Sequence, residues 1–302
     1  MHSVVSWRWK PTCSKISSYN HIRKDVSMRI AVTGGSGDLA RVLIPLLQEA
    51  GHSVLSIDRT MPTNTTGNPL GVQAQVVDVS DFGSVVGALT GCDAVIHLAA
   101  HRSPMNAPDH VVYRDNTLGS YNILLAAEIH KMTHVCMASS INAIGAVFSK
   151  EPQYDYFPLD EKHPCYAQDA YSQSKWVLEQ QGDAFARRRS DVAISSLRFH
   201  GIIDRDRAIQ YWDGKDGARK HVWGYVHPRA AARACIAALN VTWRGHEVFY
   251  VVAPDAASVT ASDVNARTHY PNVPIRGSLS GNTGFFDCSK AGKLLGWTHS
   301  EE

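Results

Sequence analysis

Tyr171 and Lys175 stand four residues apart in Tyr171-Ser-Gln-Ser-Lys175. On a helix that spacing puts both side chains on one face, so they can meet in one site. An isolated phenol titrates near about 10 and is a poor base at neutral pH. A nearby ammonium favours the phenolate and predicts a lowered Tyr171 pKa. Tyr171 could then take a proton from a substrate hydroxyl, or return one to a carbonyl. Taken alone, Tyr-x-x-x-Lys is common by chance and reads rather as a partly exposed aromatic beside a surface lysine. Ser139-Ser140-Ile-Asn-Ala-Ile-Gly145 closes a run that reads as a strand. A hydroxyl at such a strand end faces the ligand crevice of a parallel sheet. Ser140 could hold a substrate oxygen where charge develops, or cap the chain locally.

A second constellation suits a dinucleotide. Thr33-Gly-Gly-Ser-Gly-Asp-Leu-Ala40 lies between an apolar run and an amphipathic one. Gly34 and Gly37 let backbone approach a pyrophosphate, with Ser36, Asp38 and Leu39 beside them at a helix N-terminus whose N–H groups are free. Ala40 takes the position where the helix packs close to the sheet. Asp58 ends the next strand-like run. An acid there accepts from ribose hydroxyls and repels a 2′-phosphate, which favours NAD; Arg59 beside it keeps NADP open.

These groups need elements to position them. Strands read at Met28–Thr33, Ser53–Asp58, Val72–Val79, Ala94–Ala99, His134–Ser140, Ala193–Phe199 and Glu247–Ala253. Helices read at Asp38–Ala50, Asp81–Thr90, Pro108–Lys131, Asp169–Arg189 and Pro228–Leu239. In the first helix Leu39, Val42, Leu43, Leu46 and Leu47 form one apolar face. Gly51 sits where its C-terminal cap belongs, and Pro45 should kink its interior or cost stability. Repeated strand–helix units predict an α/β fold, a doubly wound Rossmann-type parallel sheet with helices on both faces. Residues 28–302 read as one domain, with a small substrate lobe formed mainly by 200–226 and 254–302.

Composition narrows the class. The chain has 302 residues, 44% hydrophobic and 19% charged, with a net charge of +2, values ordinary for a globular protein. No apolar run approaches the ~18 residues of a membrane span, and neither the net charge nor the placement of Trp7, Trp9, Trp212 and Trp223 suggests nucleic-acid binding. Residues 1–27 carry Arg8, Lys10, Lys15, Arg23 and Lys24 against Asp25 alone. That segment reads as a disordered extension or an organelle-targeting leader, with Met28 as an alternative start. The six cysteines form no Cys-x-x-Cys pair, which suits reduced thiols in the cytoplasm. The fifteen histidines fall in no metal-binding pattern, so no metal is expected.

With these motifs in order, the sequence resembles the extended short-chain dehydrogenase/reductase family, also called the NAD-dependent epimerase/dehydratase family, from Met28 to about Trp297. The glycine turn matches at Thr33–Ala40, with Ala for the last Gly, and the acid at Asp58. The resemblance further places Asp78 and Val79 beside the adenine, Leu98, Ala99 and Ala100 (of His97–Ala100) along the cofactor, and Asn116 as a structural asparagine. It makes Ser140, Tyr171 and Lys175 the catalytic group, with Ser139 adjoining the cofactor, and implies a homodimer. One departure bears on substrate. Where sugar-nucleotide members have an Asn-x-Tyr-Gly-Pro-like turn, this chain has Arg198-Phe-His-Gly-Ile-Ile-Asp204, and the stretch to Gly224-Tyr-Val-His-Pro-Arg229 is short. A smaller substrate follows. Phe199 and His200 lie near the nicotinamide or pack at the strand end; Ser103, Asn142 and Arg198 touch substrate or are structural. Three functions share this pattern: an oxidoreductase on a small sugar-like or secondary-metabolite alcohol, an epimerase or dehydratase that retains NAD, and a non-catalytic NAD(P) sensor. Sensors of this fold tend to lack the Tyr or the Lys, and both are present here.

Overall fold

The computed structural model describes residues 27–61, 72–215 and 217–301. Apart from Ser27, the N-terminal extension lies outside the described residues. Seven strands, β1 (Arg29–Thr33), β2 (Ser53–Asp58), β3 (Gln73–Val76), β4 (Ala94–His97), β5 (His134–Ser140), β6 (Ala193–Phe199) and β7 (Gly245–Val251), form one sheet in the order β3-β2-β1-β4-β5-β6-β7. Every neighbouring pair is parallel. The order reverses between β1 and β4, and a doubly wound sheet opens its ligand crevice at that switch point, beyond the strand C-termini. The register brings Thr33 level with Ile57 and His97, and Ser140 level with Phe199.

Helices α1 (Asp38–Glu49), α2 (Phe82–Ala88), α3 (Asp109–Ile129), α4 (Ala170–Ala186), α5 (Arg205–Trp212), α6 (Pro228–Leu239), α7 (Ser262–His269) and α8 (Ser289–Leu295) complete the order. Alternation along β1 assigns the faces. Ile30 and Val32 join the core under α1 and α6, whereas Ala31 joins the core under α2, α3 and α4. A third core packs residues 141–159 against Trp223, Tyr250, Phe285 and Phe286. It ties the loop after β5 to the 200–226 and 254–302 segments.

Local sequence explains where expectation and structure part. β3 is shorter than the run Val72–Val79, because the Asp78 carboxylate accepts from Ser80 N (2.9 Å) and turns the chain. The Asp81 and Asp169 side chains cap α2 and α4 by accepting from Ser84 N and Ser172 N. α1 runs through Pro45 without a break. Its end is the expected one: Gly51 (φ +85°) donates to Gln48 O and His52 N to Leu47 O, a Schellman closure. β7 begins two residues before the expected run. α5, α7 and α8 are each eight residues or fewer, too short to leave an apolar period.

Candidate active site

Ser140 ends β5, and a 3-10 turn (Ile141–Ile144) carries the chain away from it. The Ser140 hydroxyl oxygen accepts from Asn142 N (3.1 Å) and Asn142 Nδ2 (3.2 Å). Tyr171 and Lys175 lie on the first turns of α4, both buried. The Tyr171 ring meets Phe148 edge-on, with centroids 5.6 Å apart. Lys175 Nζ sits 5.8 Å from the Tyr171 ring centroid and donates to Ala138 O at 2.7 Å.

The electrostatics correct one expectation. Burial pushes the Tyr171 hydroxyl up from its ordinary value, and the neighbouring Ser140 hydroxyl opposes the rise. The lysine does not reverse it, since its ammonium is held at the Ala138 carbonyl. Burial also pulls Lys175 down to about 8, against the pull of Glu179. His97 and His200 are driven to about 3 by burial and are neutral. His97 Nδ1 bonds Thr33 Oγ1 (2.7 Å), and the same hydroxyl accepts from Ala99 N (3.2 Å). The ends of β1 and β4 are thereby locked together.

A cavity of about 340 Å³ opens on Ser140, Tyr171 and Lys175, and is also lined by Asn142, Phe148, Phe199, His200 and His221. It adjoins a second of about 320 Å³ lined by Ser36, Asp58, Arg59, Asp78, Val79, Ala99 and Asn116. Gly34, Gly37, Asp38, Leu98 and Ala100 border both, and Leu39 and Ser139 border the first. The turn between them is built for close approach. A Cβ on Gly34 (φ +68°) would stand 2.8 Å from Ala99 N and 2.9 Å from Leu98 C. Asp58 Oδ2 accepts from Ser36 N at 2.9 Å, tying the acid to the turn. This donor set and this cradle fit a dinucleotide.

Most of the sequence-selected residues therefore share one crevice. Two do not line it. Ser103 lies in the loop after β4, where its hydroxyl accepts from Met105 N (2.9 Å). Of the two readings of Arg198, its surroundings favour the structural one: its guanidinium is buried in a two-point pair with Glu179 (2.8 and 2.9 Å) and reaches Tyr250 Oη (3.4 Å). Ser139 borders the first cavity, and its hydroxyl donates to Glu179 at 2.6 Å. Asn116 brackets His101, accepting from its N (2.8 Å) and donating to its O (3.1 Å), and donates to Ser174 Oγ (3.0 Å).

Sequence reasoning missed Arg102, Phe148 and His221 in the crevice and Glu179 behind it. Arg102 belongs to the loop after His97–Ala100 and pairs with Asp38 at 2.8 Å, both largely exposed. Glu179 had a signal, being one helical turn beyond Lys175; His221 had none. One further constellation imitates chemistry. Ser196, His246 and Asp183 form a serine–histidine–aspartate chain, each link 2.8 Å. Ser196 has no exposed surface, so the chain joins α4 to β6 and β7 and meets no substrate. Among the described residues, no group of three or more His, Cys, Asp or Glu side chains could hold a metal ion.

Comparison with known proteins agrees with this geometry. The chain is 30% identical over 187 residues to a putative dihydroflavonol 4-reductase of Synechocystis sp., a match covering 61% of this chain and half of the relative. It is 25% identical to a UDP-glucose 4-epimerase of Corynebacterium glutamicum, across 90% of this chain and 91% of the relative. Among solved structures, a short-chain dehydrogenase/reductase superfamily protein from Agrobacterium tumefaciens with bound NAD shares the fold, with a TM-score of 0.69 at 18% identity over 90% and 92% of the two chains. A family model described as the NAD dependent epimerase/dehydratase family matches residues 30–203. With its glycine turn, strand-end acid and Tyr–Lys helix in one crevice, this chain belongs to the NAD dependent epimerase/dehydratase family.

Proposed function

We propose that this enzyme is an NAD-dependent oxidoreductase acting on a hydroxyl or carbonyl group of a small sugar-like or secondary-metabolite substrate. The observation that carries the reading is the convergence of Ser140, Tyr171 and Lys175 on one cavity that continues into the chamber of the glycine turn. In this reading the Gly34–Leu39 turn holds the pyrophosphate, Asp58 and Arg59 meet the adenosine ribose, and Asp78 and Val79 flank the adenine. Leu98, Ala99 and Ala100 line the path, and Phe199 and His200 close the nicotinamide end. Bound NAD supplies the hydride acceptor.

The protein's own groups handle the proton. Tyr171 takes it from the substrate hydroxyl, and Ser140 hydrogen-bonds the same oxygen as charge develops there. Because burial holds the Tyr171 proton in place, the phenolate needs added positive charge, which Lys175 and the oxidised nicotinamide, when bound, would supply together. Asn142, with Val147 and Ile202 beside it, bounds the substrate end. Gly201, Ile202 and His221 of the 200–226 segment also line the cavity, and the shortness of the stretch from Asp204 to Gly224 favours a small substrate.

A second reading, epimerisation with retained NAD, uses the same residues. It is favoured by the match to the Corynebacterium glutamicum epimerase along nearly the whole of both chains. NADH absorbance with a panel of sugars, uronates and secondary alcohols separates the two. Net NADH supports oxidation; isomer formation without NADH supports epimerisation. Tyr171→Phe should lower turnover by about 10²–10⁴-fold, and undiminished turnover would sink the assignment.

Two quaternary and cellular readings accompany this one. Tyr113, Leu118 and Tyr121 on α3 and Trp176 on α4 are exposed large apolar side chains on packed neighbouring helices, which supports a homodimer through those helices. The five described cysteines are free thiols, in keeping with a reducing cytoplasm. No described helix is long and apolar enough to cross a membrane.

A further inference from the structure

Behind the catalytic residues lies a buried ionic group that proton transfer does not directly use. Tyr171, Lys175 and Glu179 succeed one another at four-residue spacing along α4, so one helix face carries all three. Glu179 is fully enclosed and held from two strands. Arg198 of β6 grips both its oxygens, and Ser139 of β5, next to catalytic Ser140, donates to one of them at 2.6 Å. Tyr250 of β7 closes the group, its ring 5.2 Å from the Arg198 guanidinium.

A buried ion pair seldom adds net stability over well-packed apolar residues, so its presence here calls for another use. Lys175 supplies one. Its ammonium is buried and donates to Ala138 O. On α4 it lies by the Tyr171 ring and one helical turn before Glu179, with which it forms no direct ion pair. From β4 it meets His97, neutral because burial drives it to about 3. On β5 the Ala138 carbonyl accepts from it, and the next residue, Ser139, donates to Glu179; on β6 and β7 Arg198 and Tyr250 engage Glu179 and each other. On α3, Asn116 reaches the neighbouring Ser174 and carries no charge. Burial works against the ammonium, and Glu179 is the carboxylate that supports it.

We infer that Glu179 is a positioning residue for the proposed reaction: its carboxylate, pinned by Arg198 and Ser139, keeps the buried Lys175 ammonium charged beside Tyr171. Ser139 then couples the same group to the strand end that presents Ser140. The inference rests on the proposed role of Lys175, and its test separates the two.

Three variants are needed: Glu179→Gln, Glu179→Asp, and the double variant Glu179→Met/Arg198→Met, which removes the pair without leaving one buried charge alone. Each is titrated by NMR through the labelled Lys175 ε-position, assigned with Lys175→Met, and by the basic limb of kcat/KM against pH. Glu179→Gln and the double variant should both lose the Lys175 proton about one pH unit lower than wild type, with kcat/KM at alkaline pH falling about tenfold further than at neutral pH. Glu179→Asp, which keeps the charge, should stay near wild type. A purely structural pair predicts otherwise: the double variant would recover stability and leave the Lys175 midpoint unmoved, and that result overturns the inference. If the Lys175 signal moves while the basic limb stays fixed, Glu179 still sets the charge, and the proposed use of Lys175 in turnover is what fails.

Discussion

Gly34→Ala tests whether the glycine turn is shaped by contact with the β4 end. At φ +68° an L side chain carries a conformational penalty of about 1–2 kcal/mol. The new methyl would also stand 2.8–2.9 Å from backbone atoms of Leu98 and Ala99. Neither neighbour can swing aside, because Ala99 N is tied to Thr33 Oγ1. Overpacking of that kind costs about 1–3 kcal/mol more. The expected total is about 2–5 kcal/mol, a fall in Tm of about 5–15 °C at this size. Gly51→Ala provides the control. Its φ is +85°, but a Cβ there has nothing within 4 Å, so only the conformational part remains and Tm should fall by about 2–8 °C. Gly34→Ala should also weaken NADH binding by more than about tenfold, some 1.4 kcal/mol, whereas Gly51→Ala should not. Thermal melts by circular dichroism and NADH fluorescence titrations measure both. Equal Tm losses with unchanged NADH affinity in the two variants would refute the reasoning.

Acid should destabilise the fold through its buried histidines. His97 and His200 titrate near 3 when folded and near 6.5 when unfolded, so the unfolded chain binds more protons between those values. Stability is therefore lost as pH falls from about 6.5 towards 3, by up to about 1.4 kcal/mol per pH unit for each histidine. Melts of wild type and His200→Gln at neutral and acid pH should show a shallower slope in the variant; parallel slopes would contradict the assignment. For the dimer, Trp176→Glu should shift the sedimentation coefficient towards monomer, because a charge would enter the proposed apolar contact. An unchanged coefficient, or a wild-type monomer, would rule that interface out.

The parts of the fold that sequence reveals are those governed by local, periodic chemistry. β2, β5 and β6 run over the expected residues because apolar runs bounded by turn residues leave few alternatives. The glycine turn, Asp58 and Tyr171–Lys175 are legible because their spacing is set by one turn or one helix. Arg198 stays ambiguous in the sequence because its charge suggests a ligand, while its partner lies nineteen residues away on another element. His221 is invisible for a similar reason: it reaches the cavity from a 3-10 turn, Ala218–His221, whose position depends on the third core. The Tyr171 pKa departs from expectation because adjacency to a lysine is readable and the depth of burial is not.

The link between Asp58 and Ser36 N has an evolutionary consequence. One carboxylate both faces the ribose end of the dinucleotide chamber and props the turn at its phosphate end. A lineage drifting towards a phosphorylated cofactor must shed that negative charge, yet replacement by Ala or Gly would also slacken the turn. Asp58→Asn is the accessible change, since the new amide oxygen can still accept from Ser36 N while the charge is gone. Arg59 lines the same chamber, so that change would leave a cation there with the acid's charge removed.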